Sequence, residues 1–360
     1  MKAAVLYKAK TPLRVEQLDL NEPGPGEVLV RMMASGVCHS DWHVVKGEWS
    51  HHPLPSVLGH EGAGVVESVG PQVTAVKPGD HVILSWKTHC GTCEMCQRGH
   101  PALCERSPAA NSKPVIHGTS TQVNQMAGLG TFGSYSVVHQ DAAVPIDRDI
   151  PFGQAALVGC GVTTGVGAAI NTAKVEPGSA VAVFGAGGVG LNCIQGARIA
   201  GATTIISVDL LDNKLELARE FGATHTVNAS REDPVERIKA LTGGQGAHYA
   251  FEAIGLVEAP FVQSIRCTRR RGVTVWVGHA PLNTAVTIDA RDLMLEKTVI
   301  ASMYGSARPH IEFPRLLNLY KTGKLKLDEL ITRRFPVERV NEAFEVLGRG
   351  EVARSVLTFS

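Results

Sequence analysis

Apolar and polar positions alternate with a short period through the first part of the chain. The runs EVLVRMMASG, GAGVVESVG, DHVILSW and GSYSVVHQDAAVPI carry branched apolar residues and are bounded by Gly, Pro and Asp, so they predict the strands of a mostly β domain reaching to about residue 150. From about Val181 the rhythm changes. AVAVF leads through a Gly-rich turn into the helical segment VGLNCIQGARIAG, and TIISVDL, NKLELAREFG, THTVN, PVERIKALTG, HYAFEAIG and GVTVWVG continue in βα units. Strands and helices alternating at these lengths predict a parallel, doubly wound sheet, so the chain is of α/β class. After about Met303 two amphipathic segments, FPRLLNLYKTGKL and VNEAFEVLGRGE, and a strand, RSVLTF, form a tail that is expected to return to the first domain.

Composition narrows the partners. At 360 residues the chain exceeds the size at which one core stops growing, which points to two domains. Its 35 basic and 34 acidic side chains leave no net field to draw nucleic acid or anionic lipid, so small molecules and copies of itself are the expected partners. MKAAVLYKAK has no long apolar stretch after its lysines, and no run elsewhere reads as a membrane span; the expected location is cytoplasmic. In a reducing compartment, clusters among the eight cysteines are better read as metal ligands than as disulfides.

Gly185, Gly187 and Gly190 form G-x-G-x-x-G between a predicted strand and a predicted helix, with Gly188 and Val189 between the last two. Alone this is a tight strand-to-helix turn. Asp209, nineteen residues beyond Gly190 at the end of an apolar run, makes it a dinucleotide site. The first glycine permits the turn, the second lets the backbone approach a pyrophosphate, and the third allows close helix–strand packing. A carboxylate at Asp209 would accept from ribose hydroxyls and repel a 2′-phosphate, favouring NAD over NADP, with Lys214 a candidate to assist at the ribose. Arg269, Arg270 and Arg271 read as a solvated turn.

Cys90, Cys93, Cys96 and Cys104 place four thiols within fifteen residues, the donor set of a closed tetrahedral zinc site. Four thiolates also suit an iron–sulfur cluster, and unligated thiols are the plain alternative. Cys38, in GVCHSDWH, His60, in LGHEGAGVVESVG, and Cys160, in LVGCGVTTG, are dispersed. Two cysteines and a histidine make a catalytic zinc set, yet each singly reads as a buried thiol or a loop histidine. Cys193 and Cys267 read as core residues.

CHSDWH, GHEGAGVVESVG, the four-cysteine lobe, GCGVTTG and GAGGVG follow one another in the order and spacing of the medium-chain, zinc-dependent alcohol dehydrogenases, which the chain resembles over essentially its whole length. It looks nearest the class III, thiol-dependent formaldehyde dehydrogenases and their bacterial relatives. The resemblance implies a GroES-like catalytic domain from residues 1–161 and 305–360, with its zinc lobe at about 88–106, and a Rossmann NAD-binding domain from 162–304. It further implies two zinc ions per chain. Cys38, His60 and Cys160 would hold the catalytic one, with Glu61 and Asp41 as supporting carboxylates, and Cys90, Cys93, Cys96 and Cys104 the structural one. Ser40 and His43 match a proton relay ending near solvent. His39 and Arg354 match contacts to the pyrophosphate. Thr164, Val189 and Val277 match cofactor contacts, and His279 falls beside the carboxamide position, where an apolar residue is more usual.

The reaction so implied is RCH2OH + NAD+ to aldehyde + NADH + H+, reversible, through a zinc alkoxide, proton relay and hydride transfer. Trp49, Trp86 and Tyr304 match substrate-channel positions, and a tryptophan at position 86 favours primary alcohols, aliphatic or benzylic. A carrier-thiol-dependent formaldehyde dehydrogenase is the alternative. Against it, the segment from Arg106 to Thr131 is shorter than in that branch and has no clear anion-binding arginine. A silent zinc- and nucleotide-binding protein is a third reading, disfavoured by the intact ligand set. A homodimer through the edge of the nucleotide-binding sheet is expected, with a tetramer as the alternative.

Overall fold

The computed structural model describes residues 1–255 and 257–359. The chain divides into two compact units, one of Met1–Cys160 with Arg308–Ser360 and the other of Gly161–Ala307.

In the first unit, strand Glu27–Val37 buries Val28, Val30 and Met32 at every second position, the period of a pleated strand. They pack with Val66, Val82, Leu84 and Val138 from neighbouring strands. The sheet runs in the order Ala143–Ile146, His81–Leu84, Glu61–Val69, Glu27–Val37, Arg354–Thr358, Ile331–Pro336, and Tyr135–His139 pairs with the other part of Glu27–Val37. The tail therefore does return: Ser355 pairs with Val37, and Arg354–Thr358 runs parallel to Ile331–Pro336. A smaller sheet, ordered Val115–Ile116, Arg14–Asp19, Lys2–Leu6, Ser56–Val57, Asn124–Gln125, covers a second core. That core takes Leu6, Val44, Phe132, Phe344 and Leu347, joining helices His39–Lys46 and Val340–Gly348 to the sheets. Strands Lys2–Leu6 and Arg14–Asp19 belong to it although neither stands out in the hydropathy pattern.

The second unit is one sheet of six parallel strands in the order His225–Asn228, Thr204–Asp209, Ala180–Phe184, Ala247–Glu252, Thr268–Trp276, Thr298–Ala301. This is the doubly wound order whose reversal point lies beside the first strand. Ala180–Phe184 is buried along its whole length, as a central parallel strand must be. One run corrects the reading of the apolar segments. Phe152–Thr172 is helical, and long and apolar enough to cross a membrane, but 89% of its most apolar window is buried inside the protein. Its composition is that of a core helix.

Candidate active site

Register brings the dispersed ligands together. Glu27–Val37 and Glu61–Val69 are antiparallel, with Gly36 opposite Glu61, so Cys38 and His60 leave the sheet at the same end. Cys160 arrives from elsewhere, on a widened π-helical turn, Val158–Val162, of the type that recurs at functional sites. The ligand atoms of Cys38, His60, Glu61 and Cys160 lie within 4.8 Å of one another, and all four residues are buried. Gly36 makes room for the carboxylate: a Cβ there would lie 2.1 Å from Glu61 Oε2.

Asp41 organises the group. Fully buried at the third position of helix His39–Lys46, it accepts from the backbone N–H of Cys38 at 3.1 Å and of Gly59 at 2.9 Å, and stands 3.3 Å from His60 Nδ1. The carboxylate thus fixes the His60 tautomer and leaves Nε2 for the Cys38 side, where the imidazole and thiol also share a hydrogen bond. Neighbouring groups shift each ligand in a different direction. Burial opposes protonation of His60, yet Asp41 and Cys38 hold it well above the usual histidine range. The hydrogen bond with Cys160 holds Cys38 well below the usual thiol range, while the same bond and burial push Cys160 well up. Burial raises Glu61 to about 7 against the pull of Arg354. Apart from that ion pair, neither oxygen of Glu61 has a hydrogen-bond partner among the described residues. Two soft thiols, one oriented imidazole and a buried carboxylate short of partners fit a catalytic zinc ion with an open position.

The structure gives two of the matched residues partners that the sequence did not announce. Arg354, matched to a pyrophosphate contact, is 4% exposed and forms an ion pair with Glu61. Strand Arg354–Thr358 lies against Glu27–Val37, and this brings the guanidinium to Glu61. His43, matched to a solvent-facing relay end, is 3% exposed, and its Nδ1 bonds Glu48 Oε2 at 2.5 Å. Glu48, with 29% of its side chain exposed, also pairs with Lys46 and carries the chain of hydrogen bonds outward. Burial works against its ionised form, but the bonds from His43 and Lys46 hold its carboxyl below the usual range. Sequence reasoning missed Glu48. The signal available was a carboxylate five residues after a relay histidine, just past the helix-ending Gly47. Ser40 is half-buried three residues before His43 on the same helix and so on the same face, while His39 is exposed at the helix start.

In the lobe, Cys90, Cys93, Cys96 and Cys104 also gather within 4.8 Å. Cys93 and Cys104 sulfurs stand 3.9 Å apart. Four sulfurs at Zn–S distances of about 2.3 Å on a tetrahedron are about 3.8 Å apart, so the geometry suits a single zinc and is too tight for a multi-iron core. The backbone N–H groups of Cys90 and Cys93 donate to the sulfurs of Cys104 and Cys90, each at 3.3 Å. Hydrogen bonds from Thr92 help bring the Cys90 thiol down to about 5, and burial pushes Cys96 up to about 12. Cys193 and Cys267 are wholly buried.

In the second unit the glycine loop has the predicted form. Gly185 takes φ +93°, and a Cβ on Gly190 would fall 1.7 Å from the Gly185 carbonyl oxygen. At Gly187 an added Cβ meets nothing within 4 Å, so that face of the loop is open. Helix Gly188–Ile199 starts there with no side-chain cap, leaving its first N–H groups for an anion. Asp209 Oδ2 accepts from Ala186 N at 2.8 Å and Oδ1 from Leu210 N at 2.8 Å, which pins the carboxylate to the loop. Lys214 is half-buried in the next helix, Asp212–Glu220. The turn Thr163–Gly167, with Thr164, packs on the helix that carries Val189. Val277 and Gly278 N–H groups bond the carbonyl of Glu252, whose own carboxylate holds Ile254 N and Gly255 N, so Glu252 ties together two strand-end loops; sequence reasoning missed it. His279 is exposed just beyond.

Of the three residues matched to a substrate channel, Trp49 lies 5.4 Å from the His43 ring, Trp86 packs half-buried on the core around Val28 and Val82, and Tyr304 is 2% exposed within its unit.

Two family descriptions match: the alcohol dehydrogenase GroES-like domain over residues 24–148 and the zinc-binding dehydrogenase over residues 188–322. The chain is 40% identical over 368 residues to an NDMA-dependent alcohol dehydrogenase of Amycolatopsis methanolica, covering 100% of this chain and 99% of that one. Two solved structures superpose on it closely. One is an alcohol dehydrogenase zinc-binding domain protein from Burkholderia ambifaria, with TM-score 0.93 and 35% identity over 100% of this chain and 98% of the other. The other is benzyl alcohol dehydrogenase from Acinetobacter calcoaceticus, with TM-score 0.92 and 34% identity over 100% and 99%. With a GroES-like part, a Rossmann part and both cysteine-based donor sets, the chain belongs to the medium-chain, zinc-dependent alcohol dehydrogenase family.

Proposed function

We propose that the protein oxidises primary alcohols, aliphatic or benzylic, to aldehydes with NAD, reversibly. The observation that carries this is the buried Cys38–His60–Cys160 set with Glu61 beside it and Asp41 fixing the imidazole. When bound there, zinc supplies a positive charge that makes an alcohol hydroxyl easier to deprotonate. The chain's own residues do the rest. Asp41 holds Cys38, Gly59 and His60 in place, so the donors need no rearrangement. The hydroxyl proton would pass to the Ser40 oxygen as Ser40 gives up its own proton, and on through the nicotinamide ribose of a bound cofactor to His43, whose Nδ1 bonds Glu48, which meets solvent. The open face at Gly187 and the uncapped helix start receive the pyrophosphate, and Asp209 receives the adenosine ribose. A 2′-phosphate there would face a fixed carboxylate, which favours NAD over NADP.

The likeness to benzyl alcohol dehydrogenase supports the benzylic side of the substrate range. The NDMA-dependent relative raises a second reading, in which turnover needs NDMA as acceptor rather than dissociable NAD. One panel separates these readings: ethanol, butanol, benzyl alcohol and formaldehyde, the last with and without an added low-molecular-weight thiol, assayed with NAD, NADP or NDMA. NADH formation from the primary alcohols with NAD supports the proposal. Turnover with NDMA alone, or oxidation only of the thiol adduct of formaldehyde, overturns it. The proposal extends to a homodimer, because strand Thr298–Ala301 is a sheet edge and the adjoining Met294 and Leu295 are 77% and 47% exposed. Sedimentation at working concentration tests that part.

A further inference from the structure

His89 precedes the first lobe cysteine and has no part in the chemistry above. Its side chain meets two residues distant in sequence, Asp141 in the turn Gln140–Ala142 and His310 in the first turn of helix Pro309–Lys321, all within the first unit. His89 Nδ1 lies 3.0 Å from Asp141 Oδ2, and His310 Nε2 lies 3.3 Å from Asp141 Oδ1. The two imidazoles stand edge to face with centroids 5.8 Å apart, and one donor atom from each of the three residues falls within 4.8 Å of the others.

Two features distinguish this trio from an ordinary surface ion pair. His89 Nδ1 is buried and has no hydrogen-bond partner among the described residues: the carboxylate is near, but outside hydrogen-bond geometry. The carboxylate itself is fixed, since Asp141 Oδ2 accepts from His89 N at 2.6 Å and Asp141 N donates to His139 Nδ1 at 3.2 Å. A ring nitrogen without a hydrogen-bond partner beside a held carboxylate is oriented for an ion that both can reach. Metal bonds of about 2.0 to 2.2 Å at tetrahedral angles separate donor atoms by about 3.3 to 3.6 Å. The 3.0 and 3.3 Å spacings are already close to that, and a small rotation of His310 brings in the third donor. His310 Nε2 must give up its 3.0 Å bond to the Asp141 carbonyl, a cost that makes this the weakest of the three sites.

We propose that His89, Asp141 and His310 form a third metal site for zinc or a similar borderline transition ion, with water completing the coordination. Two imidazoles and one carboxylate are a recognised set for such ions. With 37% of the His310 side chain exposed, the site exchanges its ion with solvent. When filled, it ties the cysteine lobe to helix Pro309–Lys321, so it responds to free metal concentration without touching the alcohol site.

The test is to titrate the zinc-replete full-length protein with Co2+, following bound metal and released zinc by mass spectrometry and the visible spectrum. The expected result is one further equivalent bound with no zinc released. Its d–d bands should lack the near-ultraviolet thiolate-to-cobalt charge-transfer band, and the whole signal should be missing from His310→Ala, an exposed substitution that leaves the fold intact. A conservative His310→Gln variant should bind at least tenfold more weakly. No further equivalent in the wild type, uptake matched by zinc release with a thiolate band, or undiminished binding by both variants would each overturn the proposal.

Discussion

The protein gathers cysteines in two ways. The lobe draws Cys90, Cys93, Cys96 and Cys104 from one short loop, two of them half-buried, and its sulfurs take N–H bonds from the loop's own backbone. The other set draws Cys38, His60 and Cys160 from two strand ends and a π-helical turn, buries them all, and adds Glu61. Four sulfurs on one ion close its coordination, so the first arrangement can only staple. Three ligands leave a position free, and only the second arrangement suits chemistry. Assembling it takes long-range register, which is a cost that a staple does not need.

Four substitutions sharpen or break that contrast, from the largest expected effect to the smallest. Cys96→Ser should remove the lobe's zinc and cost several kcal/mol of stability, as about half the protein or more failing to accumulate in soluble form; the fraction that folds should turn over near the wild-type rate. Metal content and active-site titration of the soluble fraction check this, and a folded but inactive protein would give the lobe a direct part in catalysis. Asp41→Asn should weaken zinc at the Cys38 set by about 10- to 100-fold while leaving the lobe filled, which chelator competition measures. An unchanged affinity would mean that His60 needs no orienting carboxylate.

Glu27→Gln tests the packing beside the lobe. Burial pushes the Glu27 carboxyl up, but the Ser112 hydroxyl and the N–H groups of Gly24, Ser112 and Asn111 hold it below the usual range. A carboxyl lowered by folding stabilises above its unfolded pKa of about 4.3, and that contribution fades as pH falls through the lower folded value. The substitution should therefore cost about 2 kcal/mol at pH 7, and the gap in melting temperature from wild type should shrink below pH 4. A gap independent of pH would assign the loss to packing alone. Smallest, Glu48→Gln should slow turnover roughly threefold with zinc content unchanged, because it acts only through His43. A wild-type rate would remove Glu48 from the proton path.

What the sequence showed follows the same division. G-x-G-x-x-G, Asp209 and the four lobe cysteines are local patterns, and the strands and helices around them are carried by strong periodicity, so the α/β class was legible. The convergence of Cys38, His60 and Cys160 was not legible from spacing, because it depends on Gly36 pairing with Glu61 and on a helical turn a hundred residues away; only resemblance suggested it. Ile331–Pro336, carrying two arginines on an edge strand, hid its strand character from hydropathy. Arg354 is matched to the pyrophosphate only by resemblance, and its burial against Glu61 depends on which strand the tail joins. Asp141 and His310 meet His89 across the fold, with nothing in the spacing to announce them.

The central claim is that chemistry belongs to the dispersed set and not to the concentrated one. It is tested most directly by the turnover of Cys160→Ser, per folded chain, with benzyl alcohol and NAD. The account predicts a loss of at least about 1000-fold, the several kcal/mol expected of a missing Lewis acid, with a wild-type melting curve and the lobe's zinc still bound. Turnover within about tenfold of wild type, in a protein shown to have lost the ion at Cys38 and His60, would contradict it.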